Sequence, residues 1–161
     1  MKGSKKEVRE VKQEEDEENN NRNNHEGLKG WLNPFRYGWE RVSYWLQRLT
    51  GLFLLFYFIG HIFEVNSLTQ GKDAWNAMLA FTQTPFGHIF LILVIGTSTF
   101  HSANGIRLIF AEGGKGLGKP GRPDYPYDAL SLNYGQKSGI WIALILAAVA
   151  MLYGANILFG T

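Results

Sequence analysis

Four histidines and no cysteine set the metal chemistry open to this chain. Imidazole ligation is available and thiolate ligation is not, which excludes a disulfide framework, an iron–sulfur cluster or thiolate zinc site held by this chain, and a cysteine nucleophile. His101 stands in the segment STFHSANGIRLIF. On a helix, Gly105 falls one turn after it and Thr97 one turn before it, on the same face. A small residue at that spacing lets a flat macrocycle approach, and a hydroxyl on the other side can orient the ring; this is an arrangement suited to heme ligation. The same histidine would also serve as a hydrogen-bonding tie to a neighbouring helix.

A second histidine ends a longer pattern. Ser43, Gln47, Thr50, Leu54, Tyr57 and His61 follow one another at steps of three or four and make a nearly continuous polar stripe along one helix face. A lipid-facing helix would not carry it, so the stripe must face protein, a cofactor or a buried polar ligand. Arg48 lies off the stripe, one turn beyond Tyr44, where it could meet a propionate, a quinone oxygen or a lipid phosphate. Glu64 and Arg107 fall near helix ends, within reach of water. His88, close to Pro85, reads as interfacial, and His25 as solvated.

The elements that must carry these residues are three apolar runs, about residues 44–65, 85–110 and 138–159. Each exceeds 20 residues, and at about 1.5 Å of rise per residue each can cross a hydrocarbon core about 30 Å thick. A soluble bundle would need a polar face on every helix. The segment GIWIALILAAVAMLYGANILF offers only Tyr153 and Asn156 for one. Its Gly139, Ala143, Ala147, Ala150 and Gly154 recur at steps of three or four and predict close contact with another helix. The expected fold is therefore an all-α membrane protein of three transmembrane helices in the lipid bilayer, with a disordered, charged N-terminal tail.

Charge divides the chain at about residue 30. Of the 30 charged residues, 15 lie in the first thirty positions. That Asn- and Glu-rich stretch has too little apolar surface to offset its ordering entropy, so residues 1–30 are expected to be a disordered tail, with at most a short frayed helix at 7–18. Residues 31–161 form one three-helix domain. No secretory signal is expected at the start. The formal net charge of +2, with basic and acidic residues mixed, gives no footprint for nucleic acid.

Ten of the 16 lysines and arginines lie before or just inside the first run, Lys72 lies in the first loop, and five lie between Arg107 and Lys137. By the positive-inside rule the N-terminus and the second loop are cytoplasmic, and the first loop and C-terminus lie outside a cell inner membrane. Trp39, Trp45, Tyr127, Tyr134 and Trp141 then fall near the inner interface. In the first loop, Trp75, Met78, Leu79 and Phe81 make one apolar side of a short helix ending before Pro85, a lid on the outer surface. The second loop, EGGKGLGKPGRPDYPYD, reads as a flexible connection and matches neither a P-loop nor a dinucleotide fingerprint.

With these residues in hand, the chain resembles the cytochrome b membrane-anchor family of succinate dehydrogenase, respiratory complex II. SYWLQRLTGLFLLFYFIGHIF is similar to the family's first-helix pattern ending in Arg-x-Thr/Ser-Gly, and HSANGIRLIF to its second-helix His-x-x-x-Gly-Ile-Arg. The resemblance covers about residues 37–160. It implies a chain without a succinate site of its own, pairing with a second small membrane subunit. The pair would bind heme b and dock a flavoprotein and an iron–sulfur subunit, passing electrons to a quinone. By the motif match, His101 corresponds to the heme ligand and Arg48 to the arginine near the quinone and the heme propionates; Gly105, Arg107, Thr97 and Tyr57 join the cofactor-binding set. Many members carry a quinone-binding Ser four residues before that arginine. Here the position is Tyr44, with Ser43 beside it, and Gln47 stands where a histidine is common.

His61 resembles the first-helix ligand of two-heme members. If Arg48 and Arg107 are level at the inner boundary, His61 is about 20 Å deep and His101 about 9 Å, too far apart to share an iron whose axial nitrogens are about 4 Å apart. His61 then ligates a second heme or is structural, and the opposite ligand of either heme comes from the partner membrane subunit. A quinol:fumarate reductase on the same scaffold and a heme-free anchor or assembly protein are the alternatives. A transporter is disfavoured by three spans without an internal repeat.

Overall fold

The computed structural model describes residues 11–13, 27–33, 35, 38–118 and 132–160, the side chain of Trp31 excepted. Most of the expected tail, residues 119–131 of the second loop and Tyr127 lie outside the described residues. Two units are distinguished, residues 1–33 and 34–161. In the first, the described residues 11–13 are helical and α1 is a six-residue helix, Gly27–Leu32.

Among the described residues the second unit holds four α-helices: α2 (Trp39–Asn66), α3 (Lys72–Thr82), α4 (Pro85–Glu112) and α5 (Tyr134–Phe159). Three of them, α2, α4 and α5, are long and apolar enough to cross a membrane. No strand occurs among the described residues, so the fold is all-α as expected. Each helix stops and starts for a local reason. At the end of α2 the Ser67 hydroxyl donates to the Glu64 carbonyl at 2.6 Å, a 3-10 turn covers Ser67–Gln70, and Gly71, at φ 104°, swings the chain into α3. Pro85 opens α4 while the Thr84 hydroxyl accepts from Gly87 N at 3.0 Å; Asn133 caps α5 by accepting from Gln136 N at 3.1 Å.

α4 is the middle helix, packed most extensively on α5 and also on α2, antiparallel to both. The small-residue face of the third span meets it as the spacing predicts. Ala143 and Ala147 close a core around Phe100, with Leu46, Ala103 and Leu144 against it, and Gly154 is buried where a Cβ would come 2.8 Å from the end of Ile95. Outside this seam large apolar side chains stay open. Ile62, Ile109 and Leu152 are 67%, 68% and 72% exposed. In water such surfaces would drive association, whereas hydrocarbon solvates them as well as protein does. The chain is a multi-pass membrane protein.

The described ends of the second loop are tied down, while most of the expected flexible connection, residues 119–131, lies outside the described residues. Asn133 N donates to Gly116 O at 3.1 Å and Gln136 Nε2 to Lys115 O at 2.8 Å, fastening the end of α4 to the start of α5.

Candidate functional site

The polar stripe of α2 faces the protein interior. Ser43, Thr50 and Leu54 are the buried residues of that helix, and Gln47 sits between them, half-buried. Opposite it, α4 presents Asn104, which has no exposed surface, and the two helices exchange a chain of hydrogen bonds. Ser43 Oγ donates to Asn104 Oδ1 at 3.0 Å, and Asn104 Nδ2 donates to Gln47 Oε1 at 2.8 Å. Arg107 completes the cluster from one turn further along α4. Its Nε donates to Asn104 Oδ1 at 2.8 Å, and its two terminal nitrogens donate to Gln136 Oε1 at 3.2 Å and to Ser43 Oγ at 3.3 Å. One guanidinium thus bonds to side chains of all three spans. Room for it comes from Gly139 on α5, where a Cβ would lie 2.9 Å from Arg107 Cδ.

Two expectations change here. Arg107 does not run out to water; it turns inward, because three neutral acceptors surround it inside the bundle. Ser43, grouped with Tyr44 and Arg48 as a quinone contact, is consumed by this network. Tyr44 and Arg48 point the other way, onto an exposed face, where the guanidinium carbon lies 4.3 Å from the centre of the Tyr44 ring.

His101 lies one turn deeper, against Thr50 and Gly51. Gly51 makes the approach possible, since a Cβ there would fall 2.9 Å from the imidazole Cε1. Thr50 Oγ1 is 3.1 Å from His101 Nδ1. The hydroxyl has one proton, and its shortest bond, 2.7 Å, goes to the Leu46 carbonyl. Toward the ring it therefore acts as acceptor, which places the imidazole proton on Nδ1 and leaves a lone pair on Nε2. The partner of Nε2 is the Gln47 amide at a long 3.5 Å, and the same amide nitrogen also donates to the His101 carbonyl at 3.3 Å. The orienting hydroxyl is thus Thr50, not Thr97, whose hydroxyl donates to the Leu93 and Val94 carbonyls of its own helix. Around Gly105, a Cβ would meet only Gln47, at 3.6 Å.

Such an imidazole fits an axial iron ligand. Its Nδ1–H is engaged by the protein, its Nε2 carries the lone pair and only a weak contact, and Gly51 stands beside it. Among the described residues no three His, Asp or Glu side chains gather as a metal site.

The second histidine belongs to a separate place. His61 Nδ1 is 2.9 Å from Glu64 Oε2, and its ring stacks on Tyr57 with centroids 5.5 Å apart and an 18° tilt between planes. These side chains line a cavity of about 640 Å³ with residues of α3 and α4. The helix levels differ from the sequence reckoning, because Arg107 bonds to Ser43 and so lies about a turn before Arg48 on α2. Thr50 marks the level of His101 and His61 is eleven residues further, about 16 Å apart along the helix, a larger separation than the charges suggested. Counted from Ser43, His61 lies eighteen residues, about 27 Å, further along α2.

The family described as the succinate dehydrogenase/fumarate reductase transmembrane subunit matches residues 21–154. The chain belongs to this family. No curated protein and no solved structure matches the chain. Membership of the transmembrane-subunit family accounts for the membrane-anchor architecture, and the match takes in all three spans up to Gly154.

Sequence reasoning passed over Asn104, Gln136 and Gly51. A signal for the first was present: an asparagine in an apolar helix, three residues before an arginine, rarely goes unpartnered in a membrane. Gly51 stood in the sequence only as the last residue of the Arg-x-Thr/Ser-Gly motif and nothing there pointed to Gln136, because what either does depends on which helix comes to face it.

Proposed function

We propose that this chain is the heme b-binding membrane anchor of a succinate:quinone oxidoreductase. It pairs with a second small membrane subunit, docks the iron–sulfur and flavoprotein subunits at its Arg107 end, and helps pass electrons to quinone. The observation that carries the reading is the His101 geometry: Thr50 Oγ1 lies 3.1 Å from Nδ1, the ring packs on Gly51, and Nε2 meets only the Gln47 amide at a long 3.5 Å. A heme held there, shared with a partner histidine, supplies a one-electron carrier at that depth in the membrane. The chain's own residues orient the imidazole through Thr50 and brace the surrounding helices through Asn104 and Arg107. Arg48 and Tyr44, on the exposed face, are suited to meet quinone or a propionate where the partner subunit packs. The lysine and arginine distribution supports a cytoplasmic Arg107 end and an outer Pro85 end.

The reading has one heme, because His61 lies with Nδ1 on Glu64, apart from the network around His101. A heme-free anchor is favoured by one observation of its own: both ring nitrogens of His101 already lie near α2 side chains, as a purely interhelical tie would have them. A reduced-minus-oxidised optical spectrum of the purified complex, wild type and His101→Ala, decides. A b-type band lost in the variant is expected; no band in the wild type, or a full band in the variant, overturns the assignment.

A further inference from the structure

The cavity beside His61 has a graded lining. At the α3 end its walls carry Glu64, His61 and Thr82 among Met78, Leu79 and Phe81; toward the bundle middle they are apolar only, with Phe53, Phe56 and Phe90. From Glu64 to Phe53 the wall runs eleven residues down α2, about 16 Å of helix rise, so the slot is long enough to take a headgroup at one end and part of an acyl chain along the rest. Its volume, about 640 Å³, is in the range of ligand pockets. That polarity gradient matches an amphiphile with its head at Glu64 and a chain along the aromatic wall. Glu64 is the acidic residue of the lining, and no lysine or arginine lines it. One carboxylate oxygen is used by His61, and the other takes no hydrogen bond among the described residues.

We infer that this slot binds one glycerophospholipid with a primary ammonium head, of the phosphatidylethanolamine class, its ammonium donating to Glu64 and one acyl chain lying between Phe53, Phe56 and Phe90. Charge decides the class. An ammonium gains a charge-assisted hydrogen bond from Glu64, whereas the phosphate of an anionic headgroup finds no lysine or arginine in the lining and faces a carboxylate. The ring of Tyr57, stacked on His61, adds a π-face beside the cation site. The assignment does not depend on heme, since the head site at Glu64 is fourteen residues, about 21 Å, along α2 from Thr50 at the level of His101.

The test uses the full-length chain, purified from membranes with the subunits that accompany it, delipidated in mild detergent and examined by native mass spectrometry. The probes are dioleoyl phosphatidylethanolamine, phosphatidylglycerol with the same chains, and a short-chain isoprenoid quinol. Wild type is expected to retain one ethanolamine lipid about tenfold more strongly than the glycerol lipid, the weight of one charge-assisted hydrogen bond. Glu64→Gln should abolish that preference. Gly60→Leu should abolish retention of either lipid, because a Cβ at Gly60 meets nothing within 4 Å and the larger side chain can enter the slot without moving backbone. Equal retention of the two lipids by wild type, an undiminished preference in Glu64→Gln, or displacement of the lipid by equimolar quinol overturns the proposal. Should Gly60→Leu fail to assemble, the Glu64→Gln comparison decides alone.

Discussion

Replacing Thr50 by valine tests the His101 geometry most directly. The change keeps the branched shape and removes the oxygen that sits 3.1 Å from Nδ1. Thr50 is 9% exposed, so no bulk water takes over as acceptor. An orphaned N–H in such a place costs about 1–3 kcal/mol. The ring can escape that cost by moving its proton to Nε2, where the Gln47 amide is a poor neighbour and where the lone pair is needed for iron. Either way the ligand is weakened, and loss of a partner behind a ligating histidine typically lowers metal affinity 10- to 100-fold, about 1.4–2.7 kcal/mol. The assay is heme retained per purified complex against rising apomyoglobin as a scavenger, with the midpoint potential measured alongside. Thr97→Val is the control, because that hydroxyl serves backbone carbonyls of its own helix and should leave heme retention unchanged. Wild-type retention and potential in Thr50→Val, or equal losses in both variants, would refute the reasoning.

Arg48→Ala should lower quinone reduction several-fold while succinate oxidation by a soluble dye persists, with Arg48→Lys only partly restoring the first; equal loss of both activities would make Arg48 an assembly residue instead. Gly139→Val should push on Arg107 Cδ and Cγ, which an added Cβ would meet at 2.9 and 3.1 Å, and destabilise the complex by about 1–3 kcal/mol in a thermal melt; an unchanged melting temperature would show that the arginine has room to move. His61→Ala should keep all of the heme in a pyridine hemochrome assay. A loss of half would restore a second heme at that position.

The sequence by itself determined the class, because bilayer chemistry is read from composition over twenty residues at a time. The run from Gly139 to Phe159 has no polar face to offer water, and that alone requires a membrane span. Periodicity of 3.6 residues likewise fixed which side of α2 turns inward, so Ser43, Gln47 and Thr50 were legible as an interior stripe, and the small residues of α5 as a packing seam. Register between helices is different. It depends on how antiparallel neighbours slide against each other, and no residue pattern within one helix encodes it. Taking Arg48 and Arg107 as level was reasonable from charge, yet only the packed bundle set Arg107 against Ser43 and so moved His61 further along α2 from the level of His101. For the same reason Thr97 looked like the orienting hydroxyl of His101 within its own helix, while the tertiary structure gave that place to Thr50, 51 residues away in the chain, because Gly51 lets the imidazole lie against α2.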